Sequence, residues 1–268
     1  MSETANLLLV WFKSSQRDLP WRIYDNPYHT WVSEIMLQQT QVKTVIPYFQ
    51  RFIKRFPTIE SLATAPLQEM LLLWQGLGYY KRAENMHKAA KLLYDKKEDL
   101  PKVYSELCRL PGIGDYIASA ICAIAYDQKI TVIDGNVLRV LSRLFMIEAD
   151  ISDPKSKKLF KNILQEILPE QDNRYFAQAL MELGALICRS KSPDCDHCPL
   201  KRQCKACSQQ KTEDFPINQK QLIRKSHLKH FWLIKIFGHY CLEKRDEKGL
   251  LSNLWQFIEL PPDQLDHY

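Results

Sequence analysis

The chain has 268 residues, 46% of them apolar, and a formal net charge of +6. Those values suit a folded protein with a sizeable core and give only slight support for an anionic partner. No apolar run approaches the ~20 residues that a membrane-spanning helix needs, so no membrane association is expected.

The opening MSETANLLLVWFKSSQR has neither the basic start nor the small-residue cleavage site of a secretory signal, which points to a cytoplasmic protein. Thiols stay reduced there, so the eight cysteines read as metal ligands or core residues before they read as disulfides. Apolar residues then recur at helical spacing, predicting helices over Ala63–Trp74, Ala83–Leu93, Ile117–Tyr126, Val137–Phe145 and Phe160–Ile167, with prolines between them. The chain is therefore mainly α up to about residue 228. SQQKTEDFPINQKQLIRKSH, after Cys207, is polar and reads as a linker. HFWLIKIFGHYCLEKRD and LLSNLWQFIEL beyond it are β-rich.

Two motifs carry chemistry. LPGIG at 110–114 predicts a tight turn between helices, with Gly112 and Gly114 supplying backbone freedom. Such a hairpin leaves N–H groups at the start of the next helix, where a phosphate can bind. Cys188, Cys195, Cys198 and Cys204 form C-x6-C-x2-C-x5-C, a spacing that by itself leaves an iron–sulfur cluster and structural zinc both open. Cys207 fits neither scheme, and Cys108, Cys122 and Cys241 read as core or strand residues.

LPGIG, the aspartate of IDGNVLRV twenty residues past the second glycine, and the four-cysteine spacing together resemble the helix-hairpin-helix DNA glycosylases that carry a 4Fe–4S cluster. The likeness runs from about Arg17 to Cys204. RDLPWR, WVSEIMLQQTQV and QGLGYYKRAENMHKAA are similar to the MutY-type adenine glycosylases. The resemblance implies a monofunctional adenine glycosylase of base excision repair. It implies action on adenine mispaired with 8-oxoguanine or guanine in double-stranded DNA, by a monomer associated with the bacterial nucleoid.

It also implies site residues. Glu34 is the general acid, Asp134 the carboxylate beside the sugar, and Tyr116 a neighbour of that pair. Taken alone, Glu34 reads as part of a solvated helix face with Gln38 and Gln41, and Asp134 as a helix N-cap. For both carboxyls to work near neutral pH, Glu34 needs a pKa raised by burial and Asp134 a charge favoured by hydrogen bonds. Arg17, Trp21, Arg22, Leu37 and Glu182 are expected around the extruded base, with Asn136 also in the DNA-binding set. Gln38, Gln39 and Thr40 are expected against the bases, and Tyr79 as a wedge. The cluster would be held by Cys188, Cys195, Cys198 and Cys204, with Arg189, Lys191, Lys201, Arg202 and Lys205 meeting phosphates.

The expected architecture is a two-lobed helical protein. Residues 23–131 form a six-helix lobe with the hairpin, and 1–22 with 132–207 form the cluster lobe. A linker follows over 208–228, then an incomplete Nudix-like segment over 229–268, from which weaker discrimination between 8-oxoguanine and guanine is expected. Two rivals stay open: a bifunctional endonuclease III-like pyrimidine glycosylase/lyase, and a non-catalytic metal-binding DNA module. The first would carry a lysine where Tyr116 stands.

Overall fold

The computed structural model describes residues 2–22, 26–219, 228–246 and 254–260. They fall into two compact units, one within 1–78 and 82–220 and the other within 79–81 and 221–268. The larger unit is helical.

Its first helix, Glu3–Ser15, is capped by the Ser2 hydroxyl, which accepts from the Ala5 N–H. Ala5, Leu8, Leu9 and Phe12 recur at helical spacing and are buried on one face. That face completes an apolar core built with Val137, Leu141, Phe160, Phe176 and Leu183, all far away in sequence. Burial of each large side chain contributes roughly 1.5–3 kcal/mol, so the helix docks although it is remote from its partners.

A second buried region is aromatic. Phe52 meets Phe56 and Trp74 edge-on, with ring centroids 5.1 and 6.1 Å apart, and Tyr28 meets Trp31 at 6.2 Å. These rings come from Pro27–Leu37, from Val42–Arg55 with its C-cap Phe56, and from Leu67–Trp74, and they fix the helix that carries Glu34.

The expected helix over Ala63–Trp74 is divided into Ile59–Thr64 and Leu67–Trp74, because Pro66 cannot continue the first and instead caps the second. The expected helix over Ile117–Tyr126 begins as Asp115–Ala120 and widens into a π-turn at Ile121–Ala125. Gly112, between Tyr104–Leu107 and Asp115–Ala120, has φ +78°, and a Cβ there would lie 2.8 Å from the Asn85 Cβ. Both the turn and its close approach to the Lys81–Lys96 helix require glycine.

Of the expected linker, residues 208–219 are held against the larger unit. Phe215 is buried, its carbonyl accepts from Arg143 Nε at 2.9 Å, and Ile217 O accepts from Ile151 N at 2.9 Å. Polar composition concealed that one apolar anchor. Residues 220–227 of the expected linker lie outside the described residues. Cys108, expected in the core or a strand, is exposed, whereas Cys122 is buried.

In the second unit His230–Trp232, Trp255–Leu260 and Leu242–Lys244 form an antiparallel sheet in that order, and Lys235–Ile236 pairs with His239–Tyr240.

Candidate active site and cysteine cavity

A cleft of about 400 Å³ in the helical unit brings together Glu34, Tyr116 and Asp134 from three separate helix starts or interiors. The Pro27–Leu37 helix is capped by the Asn26 side chain, has Pro27 in its first turn, and is buried on nearly every face from Tyr28 to Met36. Glu34 is only 6% exposed. The solvated-face reading fails here, since the helix stops at Leu37 and Gln41 caps the next one.

Burial pushes the Glu34 carboxyl up to about 7, with the nearby Asp134 charge adding to the rise. Its Oε2 accepts from the Tyr116 hydroxyl at 2.7 Å, which offsets part of that rise. The same hydroxyl lies 3.5 Å from Met181 Sδ. Burial also holds the Tyr116 phenol well above its ordinary range, so it stays a donor.

Asp134 caps the Gly135–Phe145 helix. Its Oδ1 accepts from Val137 N at 2.7 Å, and its Oδ2 from Asn136 Nδ2 at 2.8 Å. These donors favour the charge as expected, but burial outweighs them and raises the carboxyl above its usual range. The capping and cleft readings are therefore compatible. Asn136 Oδ1 in turn accepts from Arg139 Nη2 at 2.8 Å, and Arg139 Nε donates to Cys188 O at 2.8 Å.

Glu182 is buried between two arginines. Arg17 Nε donates to its Oε1 at 3.1 Å, and Arg22 donates to its Oε2. Arg22 Nε also reaches Gln178 Oε1 at 3.0 Å. Trp21, Leu37, Gln38, Gln39, Thr40 and Asn136 line the same cleft. Gln39 is exposed in a left-handed turn with φ +57°, and Arg82 Nη1 steadies that turn from behind through Ile35 O and Met36 O at 2.8 and 3.2 Å. Gly112 and Gly114 stay in the hairpin rather than lining the cleft. Tyr79 is 60% exposed and also left-handed, with φ +49°.

Sequence reading missed Gln178, Met181, Arg139 and Arg143. Gln178 was within reach, because it precedes Glu182 by one helical turn.

Cys188, Cys195, Cys198 and Cys204 line one small apolar cavity and form no disulfide. Among the described residues no three such side chains converge as a single ion would require. Arg143 is 1% exposed, and its guanidinium donates to the carbonyls of Phe215, Arg189 and Ser190 at 2.9, 2.6 and 3.0 Å. Among the described residues no carboxylate pairs with it, while its Nη1 lies 3.4 Å from Cys188 Sγ. A buried cation beside four thiols fits an anionic, thiolate-ligated centre. Lys201 is ion-paired with Asp196 at 2.7 Å, and Arg202 and Lys205 are exposed.

A hairpin-joined helical fold thus brings the buried Glu34 and the half-buried Asp134 into one cleft. The model of the HhH-GPD superfamily base excision DNA repair proteins matches residues 32–170. An adenine DNA glycosylase of Buchnera aphidicola subsp. Baizongia pistaciae (strain Bp) is 44% identical over 257 residues, 93% of this chain and 72% of that one. A solved thermostable thymine-DNA glycosylase superposes with TM-score 0.70 at 25% identity, covering 77% of this chain and 95% of that one. Endonuclease III trapped on DNA shares the fold with TM-score 0.65 at 23% identity, covering 77% of this chain and 94% of the other. The chain belongs to the HhH-GPD superfamily of base excision DNA repair proteins and, within it, to the adenine DNA glycosylase family.

Proposed function

We infer that the protein is an adenine DNA glycosylase that hydrolyses the N-glycosidic bond of adenine opposite 8-oxoguanine or guanine and leaves an abasic site. One observation carries this reading: a buried Glu34 with its carboxyl raised to about 7, bonded to Tyr116 in the cleft that also holds Asp134.

Adenine is a poor leaving group, and the bond breaks toward a sugar cation. Glu34 gives its proton to the base at N7, so the bond's electron pair departs with a neutral adenine. Asp134 stabilises the positive charge at C1′ through its carboxylate, and water then supplies the hydroxyl while its remaining proton returns to Glu34. The logic parallels the paired carboxyls of glycoside hydrolysis. Tyr116 aims Glu34. It offers no amine, so the Schiff-base route to strand cleavage is missing at this position.

The target base must leave the duplex to reach the cleft. Arg17, Trp21, Arg22, Leu37 and Glu182 receive it, Asn136 orients Asp134, and Gln38, Gln39 and Thr40 meet the bases at the mispair. Tyr79 enters the stack as a wedge, and the Gly112–Gly114 turn takes a phosphate. Cys188, Cys195, Cys198 and Cys204 would hold a 4Fe–4S cluster, whose contribution is to cross-link the loop bearing Arg202 and Lys205. Those cations grip the backbone in a salt-sensitive way. The enzyme works as a monomer.

Incubation with duplex carrying adenine opposite 8-oxoguanine, and separately opposite guanine, tests the reading. Scission at the adenine site should follow only after alkali. Scission without alkali, together with a borohydride-trapped adduct, would favour the lyase. Intact, bound duplex would favour a binding module.

A further inference from the structure

The five cysteines of the cavity are not equivalent. Cys188, Cys198 and Cys204 pack against the apolar core that includes Leu200 and Leu144. Cys195 is not part of that packing. It opens the short turn Cys195–His197, whose other two residues, Asp196 and His197, are exposed. Three thiols are thus anchored and one is peripheral.

Cys207 lines the same cavity. It sits on the Lys205–Ser208 helix that starts directly after Cys204, and the fully buried Ala206 pins that helix in place. Cys195 and Cys207 line this one small cavity together, and neither belongs to a disulfide. Lys201 lines the same cavity.

We propose that Cys207 is a reserve ligand of the iron–sulfur centre, able to replace Cys195 when that thiol is lost or displaced. This rests on the cluster reading given above. The exchange balances without any redox partner. Cys207 releases its thiol proton to water and forms a sulfur–iron bond, while the Cys195 sulfur–iron bond breaks and that sulfur takes up a proton. Iron keeps its oxidation state and its number of bonds. A peripheral ligand is the one most open to water and oxidants, so a second thiol at that point preserves the loop's cross-link.

Iron content and electron paramagnetic resonance of the full chain, purified without oxygen, test the proposal. Cys195→Ala should keep close to the wild-type iron, whereas Cys195→Ala with Cys207→Ala should hold at least about fivefold less. Cys198→Ala should lose iron despite Cys207, because its position is core-anchored. An iron-poor Cys195→Ala, or a double variant as iron-rich as it, would overturn the role of Cys207. A wild-type chain without iron would instead overturn the cluster reading itself. A second measurement does not depend on the double variant folding. With Cys195 present, Cys207→Ala should bleach severalfold faster than wild type under limiting peroxide, and an unchanged rate would count against the proposal.

Discussion

The Tyr116 hydroxyl donates to Glu34 Oε2 at 2.7 Å, joining the helix that follows the hairpin to the interior of a helix 82 residues away. The bond aims a carboxyl that burial would otherwise leave as an isolated, costly group. Burial still prevails over it, leaving Glu34 at about 7, where a proton can be both held and given near neutral pH.

Glu34→Gln should therefore lower adenine release by at least about 100-fold, the lower range for a general acid. Single-turnover assays on the 8-oxoguanine mispair check this, with circular dichroism to confirm folding. A near-normal rate would remove Glu34 from the mechanism.

The same substitution should alter stability with a definite sign. The native state keeps the Glu34 proton up to about 7, whereas the unfolded chain loses it near the ordinary 4.5. Between those values the native state binds more protons, so this group's contribution to stability is present at low pH and lost as pH rises, by about 3 kcal/mol in total. Glu34→Gln removes that titration. Urea unfolding should find the variant more stable than wild type at about pH 8, with the gap closing toward pH 5.

Tyr116→Phe deletes the interaction that lowers the Glu34 carboxyl while leaving its burial and the Asp134 charge. Glu34 should then hold its proton to higher pH, moving the alkaline limb of the rate profile upward. An unmoved limb, measured across neutral pH under single turnover, would show that the hydroxyl does not tune Glu34.

Gly184 lies against the start of the helix that Asp134 caps, and a Cβ there would stand 2.6 Å from the Asn136 Cβ and 3.0 Å from its backbone. Alanine in a helix interior usually stabilises by about 1 kcal/mol relative to glycine. Here Gly184→Ala should destabilise instead and displace Asn136 and Asp134, lowering base release more than DNA affinity. A raised melting temperature with full activity would contradict this packing.

Arg143→Met should release the carbonyls of Phe215, Arg189 and Ser190 and loosen the cysteine loop. Each carbonyl left buried without a donor costs about 1–3 kcal/mol. Thermal unfolding should fall accordingly, and iron per chain should fall with it. Stability and iron content equal to wild type would mean that the loop holds itself.

Much of this site could be read from residue order. LPGIG, Asp134 and the cysteine spacing are local signals, because turn geometry, capping and ligand spacing depend on near neighbours. Glu34 was different. Helical periodicity separates a wet face from a dry one, and it misleads on a helix that is buried all round from Tyr28 to Met36. Gln178, Arg139 and Arg143 carry no motif, since their partners lie at the far ends of other segments.

Residue types and their spacing were enough to set the helical class and to mark the four thiols, because each is written in a short stretch of chain, whereas Glu34 and Asp134 became a pair only through the resemblance. The protonation of Glu34, the Arg17 and Arg22 bonds to Glu182, and the place of Cys207 beside Cys195 follow from packing. Desolvation and ion pairing act through space, and their strength depends on which distant segments close around a group.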